Sequence, residues 1–161
     1  MFSLIISIIA IALVAALALA SIYYGGAAFH EGSADAEAST AVNQGQQIQA
    51  AITMADINEE WSDKTGEESN LDDLGEYLKE IPKLRDAVWT VPTNRNIVTV
   101  RVINEDICKK IEEKGNAAFS GTLVTDATIG DDQPFGCVAA DLGGTAGAGF
   151  PTQAYSAYYK I

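Results

Sequence analysis

The residues able to take part in acid–base catalysis are one histidine and three adjacent pairs of carboxylates. His30 lies in a long helix-forming stretch, the part of the chain least suited to a pocket. The carboxylate pairs are Asp72-Asp73, Glu112-Glu113 and Asp131-Asp132. Adjacent residues of a helix or loop generally point apart, so a solvated acidic surface explains each pair better than a catalytic acid and base. We therefore expect a protein that is not an enzyme.

Patterns for binding metal or phosphate are weak in this sequence. Residues 126–132 alternate oxygen ligands with small residues, but they lack the spacing of a known calcium loop. The glycine-rich residues 143–149 lack the lysine of a phosphate-binding loop. The two cysteines lie far apart, whereas zinc ligands are clustered. The sequence predicts neither a metal site nor a cofactor.

Cys108 and Cys137 are instead candidates for a disulfide bond. A bridge between them would close a loop of about 30 residues and stabilise the fold by about 3–4 kcal/mol in the chain-entropy model. Two buried free thiols are the alternative. An apolar N-terminal segment followed by an acidic domain points outside the cytoplasm, which favours the bridge.

Charge and hydropathy are distributed unevenly along the 161 residues. The length corresponds to one compact domain plus an extension. The net charge is −12, and because nucleic-acid affinity rests on cationic contacts with phosphates, we expect no direct nucleic-acid binding. The apolar residues are crowded at the N-terminus, whereas the charges lie downstream.

The N-terminal segment has the length and composition of a transmembrane helix. Residues 4–24 contain no charged side chain, and the first acidic residue of the chain is Glu31. About 20 apolar residues cross the hydrocarbon core of a bilayer, and the pair Tyr23-Tyr24 suits its interface. A buried core helix is the alternative, but one this apolar and this long is rare in so small a soluble domain.

A cleavable secretory signal competes with the transmembrane helix. The residues Ala18-Leu19-Ala20, followed by Ser21, fit the small-x-small cleavage pattern. However, no Lys or Arg precedes the apolar residues, and a signal peptide usually begins with a basic region. We expect the segment to remain in the mature protein.

The helix is predicted to continue beyond the apolar segment to about residue 54. Gly25 and Gly26 weaken it by about 1 kcal/mol each relative to Ala and predict a bend or local melting. Farther along, apolar residues recur at helical spacing: Ala34, Ala38, Ala41, Val42, Ile48, Ala51, Ile52 and Ala55. Such a helix is roughly 80 Å long, so we expect its apolar half to project beyond the globular part.

These features divide the chain into two predicted parts. Residues 1–54 form a spine helix, of which residues 1–24 are the transmembrane segment, and residues 55–161 form a globular α+β head. In the head, a short helix with an apolar face is predicted from Leu71 to Ile81, and Pro82 ends it. Asn104 is expected to cap a helix over residues 105–114, with Gly115 at its C′ position.

Several short strands complete the predicted head. The β-branched residues between Asn96 and Asn104 form the clearest strand. Others are expected at residues 88–91, 122–125, 136–140 and 154–161. The predicted fold class is therefore α+β, with the amphipathic half of the spine helix packed on a small antiparallel sheet.

Three stretches of sequence resemble a known family. Met1-Phe2-Ser3-Leu4-Ile5 opens the apolar helix, and Gly25-Gly26 lies near the place where helices of that family often melt on assembly. The third stretch, Ile107-Cys108-Lys109-Lys110-Ile111, is similar to a cysteine-bearing helix. Together they resemble the type IV pilins, and type IVb pilins in particular. The resemblance implies that Cys137 belongs to a bridged C-terminal region.

The resemblance also implies an assembly route. A pilin is held in the inner membrane, processed by a dedicated prepilin peptidase and extracted by the assembly machinery into an extracellular filament whose centre is a bundle of N-terminal helices. Pilins usually carry Glu at the fifth mature position, where this chain has Ile5. Shape, or the hydroxyls of Ser3 and Ser7, would then set the axial register. The residues implied in the filament core are Met1, Phe2, Ser3, Leu4, Ile5, Ile8, Ile9, Ala12, Ala15, Ala16, Leu19 and Tyr23.

The composition of the apolar helix favours a homopolymer independently of the resemblance. Its alanines permit close approach between helices, and the absence of charge allows transfer from bilayer to bundle. Three other interpretations remain: a simple single-span anchor, a membrane-anchored pseudopilin-type secretion component or binding module that forms no long fibres, and a periplasmic enzyme released by signal cleavage.

Overall fold

The computed structural model describes residues 2–58, 71–92, 96–125, 129, 133–143 and 154–161. It is an α+β structure with a long N-terminal helix and small antiparallel sheets, which confirms the predicted fold class at that level. The elements are α1 (Phe2–Ile57), a 3-10 turn (Leu71–Leu74), β1 (Lys83–Leu84), β2 (Ala87–Val88), β3 (Ile97–Val102), α2 (Glu105–Gly115), β4 (Phe135–Val138) and β5 (Tyr155–Lys160).

Helix α1 contributes to two compact units, Met1–Ser33 and Ala34–Ile161. The helix residues from Ala34 onward therefore belong with the globular unit, whereas the sequence division placed all residues up to 54 in the spine. Gly25 and Gly26 are helical, so the predicted local melting is not present in the single chain. A cost of about 1 kcal/mol for each glycine weakens a helix without ending it.

Strands β3, β5 and β4 form an antiparallel sheet with β5 in the centre. The strands predicted at 96–104, 136–140 and 154–161 are confirmed with narrower or shifted bounds. Strand β5 is buried on both faces, because Ala157 and Tyr159 join the main core while Tyr158 joins a second cluster with Val138 and Leu142.

The remaining predicted strands are shorter in the structure or absent from it. The strand expected at 88–91 is reduced to β2, which pairs with β1, and to a single bridge between Thr90 and Thr99. Residues 122–125 are not a strand, although the Val124 carbonyl accepts a hydrogen bond from the Ala139 N–H at 2.8 Å. Burial of Leu123 accounts for the apolar pattern that suggested a strand there.

The two helices predicted in the head have different outcomes. The first is wrong beyond one 3-10 turn, Leu71–Leu74, because the chain turns at Gly75. The second is α2, and Asn104 caps it as predicted by accepting the Ile107 N–H at 2.9 Å. Gly115 is its last helical residue and Asn116 the C-cap, which corrects the predicted C′ glycine. A side chain at 115 would meet the Phe135 backbone, so close packing explains that glycine.

The main core joins the second half of α1, the sheet and α2. The buried positions of α1 match the predicted apolar pattern except that Val42 is only half-buried and Gly45 is buried in addition. They are Ala34, Ala38, Ala41, Gly45, Ile48, Ala51, Ile52 and Ala55. At Gly45 an added Cβ would lie 2.6 Å from the Tyr159 ring atom Cδ2. The absence of a side chain at this position lets the ring of the central strand lie against the helix backbone.

Polar contacts attach α1 to the β1–β2 hairpin. The Gln44 amide donates to the Lys83 carbonyl at 2.9 Å and accepts the indole N–H of the buried Trp89 at 2.9 Å. Arg85 donates to Glu37 Oε1 at 2.7 Å, and this carboxylate raises the pKa of the guanidinium. Helix α1 thus fixes the hairpin at several points.

Candidate assembly surface

The first unit exposes a continuous apolar helix surface. No residue of 2–33 is buried, and the large apolar side chains from Phe2 to Ile22 are 53–85% exposed. Within the described part of the chain, one helix, α1, is long and apolar enough to cross a membrane. A patch of this size on a soluble protein marks contact with a membrane or another protein.

Eight of the twelve predicted assembly residues share one side of the helix. At about 100° per residue, steps of three, four and seven return to the same side. This side, called here the alanine face, contains Ile5, Ile8, Ile9, Ala12, Ala15, Ala16, Leu19 and Tyr23. Phe2, Ser3 and Leu4 lie outside it, and Met1 lies outside the described residues.

A second feature of the helix was missed by the sequence reasoning. The side opposite the alanine face, called here the small-residue face, contains Ser3, Ser7, Ala10, Val14, Ala18, Ser21 and Gly25. Val14 is its bulkiest member. In the sequence these mostly small side chains follow one another at steps of three or four residues. That spacing places them on one side of a helix.

The polar groups on the small-residue face are compatible with a lipid environment. The Ser7 hydroxyl donates to the Ser3 carbonyl at 2.9 Å within the helix. In hydrocarbon an unsatisfied polar group costs several kcal/mol, so this internal bond lowers the cost of burial in a membrane or a helix bundle. The first turn of α1 contains no acidic residue, in keeping with Ile5.

The glycines after the apolar segment pack against no other described part of the chain. A Cβ at Gly25 or Gly26 would meet nothing within 4 Å. By contrast, the buried Gly45 of the same helix contacts Tyr159. The role predicted for Gly25 and Gly26, melting or bending in a filament, therefore stays a prediction.

The disulfide predicted from the sequence is present. Cys108 of α2 and Cys137 of β4 are bonded, with a Cα–Cα distance of 5.3 Å, and both are buried. This excludes the alternative of two free thiols. The bridge ties α2 to an edge strand of the sheet and suits a protein that folds in an oxidising compartment.

The same helix has a second link, to α1. Lys114 Nζ lies 2.8 Å from Asp35 Oδ1, and this hydrogen bond and charge lower the pKa of the Asp35 carboxyl. On the surface of α2, Glu105 and Lys109 pair at 2.7 Å, which lowers the pKa of the carboxyl and raises that of the amine. The Lys114–Asp35 ion pair thus attaches α2 to α1, in addition to the core that the two helices share.

The described ranges offer little support for a metal site or for catalytic side chains. They contain no group of three or more His, Cys, Asp and Glu side chains placed to hold a metal. His30 is exposed on α1. Residues 126–132 and 143–149 lie almost entirely outside those ranges, as do the side chains of Asp72 and Asp73.

A groove of about 430 Å³ beside the 3-10 turn is lined mainly by apolar residues. Among its lining residues are Leu71, Leu78, Ile81 and Val88, with Lys79, Glu80 and Lys83 as the charged ones. Its described lining contains one carboxylate, Glu80, and no histidine, cysteine or serine.

Comparisons with protein-family models, with curated proteins and with solved structures find no match to this chain.

Proposed function

We propose that this protein is the structural subunit of a type IV pilus-like filament, which polymerises through the apolar part of α1. The observation that carries the proposal is that each large apolar side chain from Phe2 to Ile22 is more than half exposed. Apolar surface is stabilised by about 25 cal/mol for each Å² removed from water. The helix must therefore lie in lipid or against copies of itself.

The charge distribution supports exchange between these two environments. Residues 2–29 contain no ionisable acidic or basic side chain. A charge at the centre of a bilayer costs about 2.5–3.5 kcal/mol or more, and this helix avoids that cost both in lipid and in a bundle. A subunit stored in the inner membrane can then move into a filament without transferring an ion.

The two faces of the helix support an open polymer over a closed dimer. Small residues let helix backbones approach closely, and the alanine and small-residue faces lie on opposite sides. Contact between unlike faces of neighbouring copies is heterologous, and such contacts form rings or open helical filaments. The disulfide-bonded head is consistent with exposure at the cell surface.

The proposal is tested by measuring the yield of surface fibres from variants with single substitutions in the apolar helix. Ala16→Lys puts a charge on the alanine face, and Ala18→Leu enlarges a side chain on the small-residue face. We expect either change to reduce the yield of sheared surface fibres at least about tenfold, because burial of the charge or loss of close approach costs about 1.4 kcal/mol or more. Electron microscopy and quantitative blotting of the sheared fraction measure the yield.

Leu13→Phe is the control for added bulk, since Leu13 lies about midway between the two faces. It should assemble like the wild type, and all variants should reach the membrane in equal amounts. If the wild-type chain is found only as a membrane-bound monomer, the proposal fails and a single-span anchor or secretion component is favoured. Normal fibres from Ala16→Lys would disprove the packing argument. Mass spectrometry of the mature N-terminal residue and its methylation tests the predicted processing.

A further inference from the structure

One turn of α2 makes two different attachments to the same residue of β4. Cys108 and Glu112 are four residues apart, so their side chains lie on one face of the helix. Cys108 is bonded to Cys137 through sulfur, and the Cys137 N–H donates to Glu112 Oε2 at 2.8 Å. Glu112 is only 8% exposed, which is rare for a carboxylate.

The edge of β4 is shaped to admit this carboxylate. Among the described strands β4 lies at the edge of the sheet and pairs only with β5, so none of them offers a second partner to the Cys137 N–H. At the preceding residue, Gly136, an added Cβ would lie 2.6 Å from Glu112 Oε2 and 2.6 Å from the Tyr158 hydroxyl oxygen. A side chain at this position would require one or both of these oxygen atoms to shift.

The chemistry of the contact makes it a strong one. A carboxylate that accepts a backbone N–H forms a charge-assisted hydrogen bond, about twice as strong as a neutral one. The Tyr158 hydroxyl donates to Gln133 Oε1 at 3.1 Å and does not compete for the carboxylate. Burial, and secondly the negative charge of Glu112, raises the pKa of Tyr158 to about 12.

We propose that Glu112 is a positioning residue for disulfide formation, because its carboxylate holds the edge of β4 against α2 so that the thiols of Cys108 and Cys137 meet. When the Sγ–Sγ bond forms, the two thiols lose two protons and two electrons. Oxidised glutathione, or another disulfide oxidant, accepts them and is reduced to two thiols. This role is independent of filament formation.

The experiment measures the effective concentration of the two thiols in the full-length protein in detergent micelles. The protein is equilibrated with defined ratios of reduced and oxidised glutathione, the free thiols are trapped, and mass spectrometry gives the bridged fraction. Glu112→Ala should lower the effective concentration at least about tenfold. Glu112→Gln should lower it less, because its amide oxygen can still accept the N–H.

Two controls separate positioning from general stability. Glu113→Ala removes the neighbouring carboxylate, which is exposed and pairs with Lys110, and should leave the effective concentration unchanged. Leu84→Ala removes a buried side chain of β1 and should lower the melting temperature of the head. When the two variants are compared at an equal loss of melting temperature, Glu112→Ala should lower the effective concentration of the thiols more than Leu84→Ala does.

Hydrogen exchange gives a local readout that a general loss of stability would not produce. In the bridged protein, Glu112→Ala should accelerate exchange of the Cys137 amide selectively among the amides of β4. Glu112→Gln, which retains an acceptor, should partly restore its protection. The proposal is overturned if Glu112→Ala lowers the effective concentration no more than Leu84→Ala, or if exchange of the Cys137 amide is unchanged.

Discussion

The contact between Gly45 and Tyr159 gives the sharpest prediction about stability. Replacing Gly45 with Ala adds one methyl group to a buried position of α1. That carbon would stand 2.6 Å from Cδ2, 3.0 Å from Cγ and 3.1 Å from Cβ of Tyr159. The Tyr159 Cβ is attached to the backbone of the central strand β5, so a change of rotamer cannot move it away.

The expected magnitude follows from two opposing effects. Inserting a methyl group into a packed core costs about 1–3 kcal/mol, and occasionally more. Ala is favoured over Gly in a helix by about 1 kcal/mol, which offsets part of that cost. The three contacts at 2.6–3.1 Å place the insertion in the upper part of that range, at about 2–3 kcal/mol. We therefore expect Gly45→Ala to lower the free energy of unfolding by about 1–2 kcal/mol, which for a domain of this size lowers the melting temperature by roughly 2–8 °C.

Thermal and urea unfolding of the full-length protein in detergent micelles, followed by circular dichroism, test this expectation. The control is Gly32→Ala, since a Cβ there would meet nothing within 4 Å and should cause no loss of stability. In a Tyr159→Ala background, two of the three close contacts disappear, and Gly45→Ala should become neutral or stabilising. If Gly45→Ala alone proves as stable as the wild type, the packing argument is incorrect.

Three further predictions concern the head. Gln44→Ala should lower the free energy of unfolding by about 1–3 kcal/mol in urea titrations, because the buried indole N–H of Trp89 loses its acceptor. Burial and the charge of Glu112 raise the pKa of Tyr158 from 10.0 to about 12, so the unfolded state loses this proton first. Stability should therefore fall as the pH rises from about 10 to 12, and Tyr158→Phe should reduce this alkaline loss, as measured by unfolding across that range. The double variant Cys108→Ala/Cys137→Ala should unfold at lower urea concentration, with a loss of about 3–4 kcal/mol.

Each of these predictions has a contrary result. Gln46, exposed on the same helix, provides the control for Gln44, and equal effects of the two alanine substitutions would show that the indole contact is unimportant. An alkaline stability profile of Tyr158→Phe identical to that of the wild type would contradict the buried-tyrosine argument. A double cysteine variant as stable as the wild type would show that the bridge adds no stability.

Local sequence patterns were sufficient for the elements whose stability depends on nearby residues. The apolar and amphipathic halves of α1 follow from composition and helical spacing, and α2 follows from its Asn104 cap. Strand β3 follows from its β-branched run. The disulfide was predictable because only two cysteines are present, and the bridge was preferred on grounds of compartment.

Elements that depend on distant partners could not be predicted in the same way. The apolar spacing from Leu71 to Ile81 indicated a helix, but the structure forms one 3-10 turn there and packs these side chains in or against the main core. Strand β5 is buried on both faces because it is central in the sheet, a position that depends on its pairing with β3 and β4.

The sequence by itself therefore determined where α1, α2 and the three strands of the main sheet lie, and that the first part of α1 is long and apolar enough to cross a membrane. These conclusions depend on short-range spacing and on composition. Only the tertiary structure decided the roles of Gly45, Gly136 and Glu112, because each depends on an atom brought close by folding from a distant part of the chain. The residues next to a glycine or a glutamate in the sequence do not indicate which ring or strand edge it contacts in the folded chain.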